Sequence, residues 1–321
     1  MTNKQTRISE ICSAIDRASQ LYYTPGCISP LSDDEFEQVI AELRELDPKN
    51  FRLTRVGPPY SSDDLRNKTE HDIPMGSLDN VDGGIDGFAA WYAKMGDTNL
   101  VLSLKMDGAS VALTYEDGIL VRAVSRGNGI VGEDLTANAI KWTGVPTTLA
   151  RSYTGTIRGE CMLYHNEFRI LEESSDEKLS NPRNVGNGIM GRSSGEDNDK
   201  LRFVAFNLVG KDKIGKLSDK FKVMDALGFN VVQHVVVDKD IVKTVCNYFA
   251  KLEDGSRSKL PFDIDGIVVA VDDIEKQKAM TNNEKDELRP KHSRAVKFTT
   301  AKAVTKVLGV TITVGHTGAI I

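Results

Sequence analysis

Long apolar runs are missing from this sequence of 321 residues. None approaches the roughly 20 consecutive residues that a membrane-spanning helix needs. The opening Met1-Thr2-Asn3-Lys4-Gln5 also lacks the apolar core of a secretion signal. Together these absences lead to the expectation of a cytoplasmic protein with no membrane partner. Cysteine is scarce: Cys12, Cys27, Cys161 and Cys246 lie far apart without a Cys-x-x-Cys pair. That argues for buried free thiols over a disulfide framework or a zinc site. An excess of positive charge is lacking too, since 41 Lys+Arg face 46 Asp+Glu for a net charge of −5. The chain is therefore no general nucleic-acid binder, and phosphate contacts must come from local clusters. Internal repeats and low-complexity tracts are absent.

The length, with 40% hydrophobic residues, suffices for one large domain plus a small one and suggests a globular enzyme. Ile8, Ile11, Cys12, Ile15 and Tyr22 recur at helical steps. Ser32-Asp33-Asp34-Glu35 reads as a capping box, followed by Phe36, Val39, Ile40 and Leu43 on one face until Asp47-Pro48. Residues 1–68 thus form a small helical domain, with the polar stretch Tyr60 to Lys68 as linker or exposed loop.

From about residue 70 the pattern changes to short strands at Val101–Lys105, Ser110–Tyr115 and Ile119–Ser125, the last two joined by the hairpin signal Glu116-Asp117-Gly118. Further strands are predicted at Gly155–Leu163, Leu201–Val209, Asp265–Val271, Ala295–Phe298 and Val307–Val314. Helices are predicted at Ile85–Lys94 and Leu217–Leu227. The fold class is α+β with a mostly antiparallel sheet rather than βαβ units.

Lys105 follows an apolar strand and precedes Asp107-Gly108, where a turn leaves room for a ligand. In a low-dielectric pocket beside other cations its amine would lose basicity, as nucleophilic attack requires. A surface lysine at a strand end is the plainer reading of this motif taken alone. Arg126-Gly127-Asn128-Gly129-Ile130-Val131-Gly132-Glu133-Asp134 is a glycine-rich loop able to bring backbone amides to an anion. Its spaced glycines bring a dinucleotide-fold oxidoreductase into consideration, but the loop ends a hairpin rather than opening a helix in a βαβ unit. Arg158-Gly159-Glu160 offers a carboxylate for a ribose hydroxyl or a metal-bound water, or else an exposed cross-strand ion pair. Asn181-Pro182-Arg183-Asn184, with Gly186, Gly188 and Gly191, is a basic turn-rich segment or a solvated loop. Arg289, Lys291, His292, Arg294, Lys297, Lys302 and Lys306 gather positive charge and make the best candidate for phosphate contact.

Taken in order, these pieces resemble the bacterial-type NAD-dependent DNA ligases of the nucleotidyltransferase superfamily. The set comprises Ser77-Leu78-Asp79-Asn80, Lys105-Met106-Asp107-Gly108, Ser125 to Gly129 running into Gly132-Glu133-Asp134, and Arg158-Gly159-Glu160. It continues with Asn181 to Asn184, Asp263 to Gly266, Ala295 to Phe298, and Val314 to Ile320.

The resemblance implies a helical domain over 1–68 that grips the nicotinamide mononucleotide half of NAD through Tyr22, Tyr23, Asp33, Phe36 and Glu37. Aromatic faces and carboxylates suit a cationic ring, although acids in a first helical turn also suit the helix dipole. An ATP-grasp-like adenylation domain would span 69–308, and the start of an oligonucleotide-binding barrel 309–321. Lys105 would attack the α-phosphorus of NAD, with Asp107 and Lys297 as further catalytic residues. Ser77, Leu78 and Ser103 would lie around the adenine, Glu160 and Arg126 near the ribose, and Asp265 and Lys297 near the phosphates, with Arg183 also binding cofactor. Lys297 could also lower the basicity of Lys105. Magnesium would ride on the phosphates, with Glu160 as a further contact, and no protein metal cluster is implied. Nicked double-stranded DNA would be the macromolecular substrate.

The sequence departs from the family at Ala270 and Ser103, which usually are a lysine and an adenine-recognising glutamate. Tyr23, Phe36 and Glu37 stand for the usual His, Tyr and Asp. The remaining barrel, zinc finger and helix-hairpin-helix region have no counterpart here, which implies a shortened chain or a second ligase subunit carrying them. A ligase-derived subunit that binds NAD or DNA with weakened catalysis is the alternative.

Overall fold

A computed structural model describes residues 4, 7, 8, 10–12, 14, 15, 31, 33–47, 68–176, 178–210, 213–281, 288–298 and 309. The predicted strand Val307–Val314, apart from Gly309, falls outside these residues. So do Tyr22, Tyr23, Lys302, Lys306, residues 310–321 and all of the predicted linker except Lys68.

In the N-terminal region, helix α1 (Asp33–Leu46) begins where the capping signal predicts. Its Leu43 is buried against Ile11, Cys12 and Ile15, with Ile8, Val39, Ile40 and Leu46 at the edge of this small core. Arg7 pairs with Glu42 at 2.7 Å on its surface.

The remaining described elements form a mixed α/β fold in which every strand-to-strand ladder is antiparallel. The strands are β1 (Lys68–Glu70), β2 (Leu100–Met106), β3 (Ala109–Glu116), β4 (Ile119–Ser125), β5 (Val131–Glu133), β6 (Gly155–Leu163), β7 (Leu201–Gly210), β8 (His234–Val237), β9 (Ile264–Val271) and β10 (Ser293–Lys297). One four-stranded sheet has the order β10-β9-β2-β8, the other β4-β3-β6-β7, and β1 pairs with β5. The helices are α2 (Phe88–Met95), α3 (Thr136–Ala139), α4 (His165–Glu173), α5 (Pro182–Met190), α6 (Leu217–Ala226), α7 (Ile241–Glu253) and α8 (Ile274–Ala279). No helix of the described residues is long and apolar enough to cross a membrane.

Alternation along β2 sorts its side chains. Leu102, Leu104 and Met106 are buried, whereas Ser103 and Lys105 are half-buried and line a cleft. The core they leave behind is continuous with Phe88, Tyr115, Ile157 and Phe203. At the β3–β4 hairpin, Asp117 (φ 48°) and Gly118 (φ 86°) both adopt left-handed backbone. Asp-Gly tolerates such a turn, which follows the twist of the flanking strands.

One predicted loop turns out otherwise. Asn181 to Asn184 is a helix start: the Asn181 side chain accepts from the Asn184 amide at 2.8 Å, with Pro182 in the first helical position. Within the basic C-terminal stretch, two arginines have partners in the chain. Arg289 pairs with Asp79 at 2.8 Å, and Arg294 donates to the carbonyls of Pro290 and Ser293.

The end of α5 is held by two side-chain amides. Asn198, fully buried, accepts from Trp142 Nε1 at 2.8 Å and donates to the Ile189 carbonyl at 2.9 Å. Asn138 donates to the carbonyls of Met190 and Arg192 at 3.0 and 2.9 Å. These satisfy carbonyls that a helix end leaves open. Replacing Asn198 by Ala strands the buried Trp142 N–H and removes one of the donors to the Ile189 carbonyl, and should cost about 1–3 kcal/mol. Urea unfolding of the variant against the wild type measures it, and an unchanged midpoint would refute the clamp.

Candidate active site

Met106 is the last residue of β2 in one sheet and Ala109 the first of β3 in the other, so Asp107 and Gly108 alone carry the chain between sheets. Gly108 is required there. A Cβ at this position would overlap the Cys161 carbonyl oxygen and the Met162 side chain of β6. A cleft of about 1100 Å³ opens beside this crossover.

Lys105 emerges from β2 opposite Gly266 of β9. Its Nζ donates to both carboxylate oxygens of Asp265, at 2.8 and 2.7 Å. Lys297, opposite Gly266 on the other side of β9, lies 3.3 Å from the same carboxylate. Asp265 therefore stands between two ammonium groups. Arg183, in the first turn of α5, donates to Asp107 at 2.7 Å.

Glu160 corrects the reading of an exposed cross-strand ion pair. It is buried, accepting from the Gly108 amide at 3.2 Å and from Ser110 Oγ at 2.8 Å. Burial pushes its carboxyl up to about 7, opposed by the Ser110 hydroxyl, the nearby Lys105 charge, the Gly108 amide and Arg183. Its strand neighbour Arg158 turns instead to the carbonyls of Ile73 and Pro74, at 2.8 and 3.0 Å.

Ser77, Leu78, Ser103 and Arg126 also line the cleft. The Ser77 segment is held beside β10 by Val81 and Ala295 amides that donate to the Ala295 and Asp79 carbonyls. The loop Arg126 to Gly132 folds back on itself, since Asn128 Oδ1 accepts from the Ile130 and Val131 amides at 2.9 and 2.8 Å. Strand β5 follows it rather than a helix, which removes the dinucleotide-fold reading. Asp33, Phe36 and Glu37 belong to α1, but their side chains, like Tyr22 and Tyr23 altogether, lie outside the described residues.

Sequence reasoning missed the far end of the cleft, where Phe206, Asn207, Leu217, Phe221 and Gln277 contribute. None belongs to a motif, so no local signal marks them. His292 of the basic stretch lies here too. Burial pushes its imidazole down to about 4, with Lys220 and Arg294 adding to the shift, so it is neutral near pH 7. Lys220, likewise half-buried, is pushed down to about 8 by burial and by Arg158 and Lys278. Helix α6, which bears Lys220 and Phe221, is anchored by buried Asp272, which accepts from the Ser218 amide and hydroxyl at 2.8 and 3.1 Å.

The chain is similar to known proteins in sequence. The chain is 32% identical over 94% of its length to a DNA ligase of Treponema denticola, covering 47% of that protein. It is 29% identical over 98% of its length to a DNA ligase of Anoxybacillus flavithermus, covering 48%. The chain thus spans about half the length of these curated relatives. A solved mycobacterial DNA ligase D complexed with ATP and MES superposes with a TM-score of 0.34 at 16% identity, over 63% of this chain and 54% of that one. Residues 64–301 match the model of the NAD-dependent DNA ligase adenylation domain. This stretch contains Lys105, Asp265 and Lys297, and on its strength the chain belongs to that adenylation-domain family.

Proposed function

We propose that this chain carries out the self-adenylation step of an NAD-dependent DNA ligase on an ATP-grasp-like scaffold, with residues 1–68 as the nicotinamide mononucleotide module and 69–308 as the adenylation domain. The observation that carries the reading is Lys105 at the cleft, clasped by Asp265 with Lys297 alongside. The Lys105 amine would attack the α-phosphorus of NAD. An N–P bond forms, the P–O bond to nicotinamide mononucleotide breaks, and Asp265 is positioned to take the amine's proton. Lys297 would steady the charge on the phosphate as a fixed cation. Asp107, tied to Arg183, would support the turn beside the nucleophile, and Glu160 and Arg126 would meet the ribose.

Magnesium fits this site as an ion carried by the phosphates. No group of three His, Cys, Asp or Glu suited to a metal occurs among the described residues. Glu160 is a carboxylate that a metal-bound water could meet, and the ion would offset developing phosphate charge. The AMP would then pass to the 5′-phosphate of nicked double-stranded DNA and be displaced by the 3′-hydroxyl. That delivery would use surfaces of an oligonucleotide-binding barrel, zinc finger and helix-hairpin-helix region, in the same protein or a second subunit.

Incubation with NAD and magnesium should add one AMP to the intact protein mass, and Lys105→Ala should abolish the adduct, a drop of at least about a thousandfold in rate. Absence of an adduct at every magnesium concentration would favour a binding-only subunit.

ATP should not replace NAD, because Tyr22, Tyr23, Asp33, Phe36 and Glu37 would find no nicotinamide to hold. Equal adduct formation from both nucleotides would count against their role.

Glu160 generates a pH prediction. Its folded-state value of about 7 exceeds the ordinary 4.5, so its contribution to stability is complete below about 4.5 and is lost as pH rises through about 7. Glu160→Gln should flatten this fall, about 3 kcal/mol in urea titrations. A slope that persists in the variant would refute the assignment.

A further inference from the structure

Two side-chain amides at the far end of the cleft are locked in opposite senses. Asn207, on β7, uses its Oδ1 to accept from the Leu208 amide at 2.9 Å and from Lys220 Nζ at 3.4 Å. Turning the amide over would set its NH₂ against these donors, so the orientation is fixed by the network. Nδ2 is left as the free end, a pair of donors. Gln277, on α8, does the reverse. Its Nε2 donates to the Val271 carbonyl at 2.6 Å, leaving Oε1 as a free acceptor. Both residues line the cleft, and neither free end is among the buried unpartnered atoms, so both are open to a ligand.

The space around them suits a flat ring. Val101, Ser103, Ala270 and Ser293 of one sheet bring small side chains to the lining, and Phe206 and Phe221 bring aromatic ones. Ser103 and Val101 lie two and four residues back along β2 from Lys105, roughly 7 and 13 Å at strand rise. That is the span from a phosphorus to the far edge of its nucleoside base. Carboxylates concentrate at the Lys105 end, in Asp107, Glu160 and Asp265. The Asn207 end presents the two side-chain amides, with the Lys220 ammonium behind Asn207 and Arg158 opposite it on β6.

We infer that Asn207 and Gln277 are the specificity-determining residues for the base, together reading the Watson–Crick edge of adenine. Gln277 Oε1 accepts from the 6-amino group and Asn207 Nδ2 donates to ring nitrogen N1. Hypoxanthine reverses both groups, carrying a 6-oxo acceptor and an N1–H donor, and meets like against like at each position. Buried polar groups left unpaired in this way discriminate strongly. The inference rests on reading the cleft as the site of the adenylyl donor.

Calorimetric binding of AMP and IMP to the full chain tests it without any chemical step. The wild type should bind AMP about 100-fold more tightly than IMP. Gln277→Met and Asn207→Leu should each shrink that ratio about tenfold or more. A ratio taken within one variant cancels any general loss of affinity. Equal affinity of the wild type for AMP and IMP would overturn the inference, as would an unchanged ratio in both variants. The mass adduct from NAD is scored separately, so a chain that discriminates AMP from IMP yet never becomes adenylated would sink the functional reading and leave the base recognition standing.

Discussion

The approach of the Gly108 backbone to the backbone of β6 governs the arrangement of the cleft. Because no side chain fits between Gly108 and the Cys161 carbonyl, the crossover from β2 is drawn tight against β6, next to the Ala109–Cys161 pair of the β3–β6 ladder. Two consequences follow from this one contact. The Gly108 amide reaches the Glu160 carboxylate. Asp107 is left at the turn, where Arg183 can meet it. Lys105, two residues before Asp107, is set beside Asp265 by the ladder of β2 with β9.

The charged groups at this end are organised more for position than for stability. Lys105 and Asp265 are each about a quarter exposed, and Lys297 about half exposed, so solvent screens much of their attraction. What the pairing supplies is a fixed geometry, with two ammonium groups converging on one carboxylate and thus on any phosphate that enters. The neutral amides behave differently. Asn198 holds α5 from full burial, where an unmet hydrogen bond costs its full desolvation. The same rule at the far end gives Asn207 and Gln277 their discriminating power.

The strands were legible because their signals are local. Alternation marked β2 and β6, and the left-handed residues at Asp117 and Gly118 sit where the Asp-Gly pair announced a hairpin. Lys105 and Asp107 were legible for a similar reason, being contiguous in one short motif. Glu160 was not, since its burial depends on a glycine 52 positions away in the chain. The pairing of Arg289 with Asp79 was not legible either, since the two lie 210 positions apart in the chain. Asn207 and Gln277 are invisible to motif reading altogether. Their meaning lies in which end of each amide is already occupied, and the Val271 carbonyl and Lys220 decide that in three dimensions.

The brevity of the crossover between sheets has a mechanical consequence. With only Asp107 and Gly108 joining β2 to β3, and no room for a side chain at Gly108, the strand end that carries Lys105 has little slack to take up. Slack in the chain is least where that amine leaves its strand.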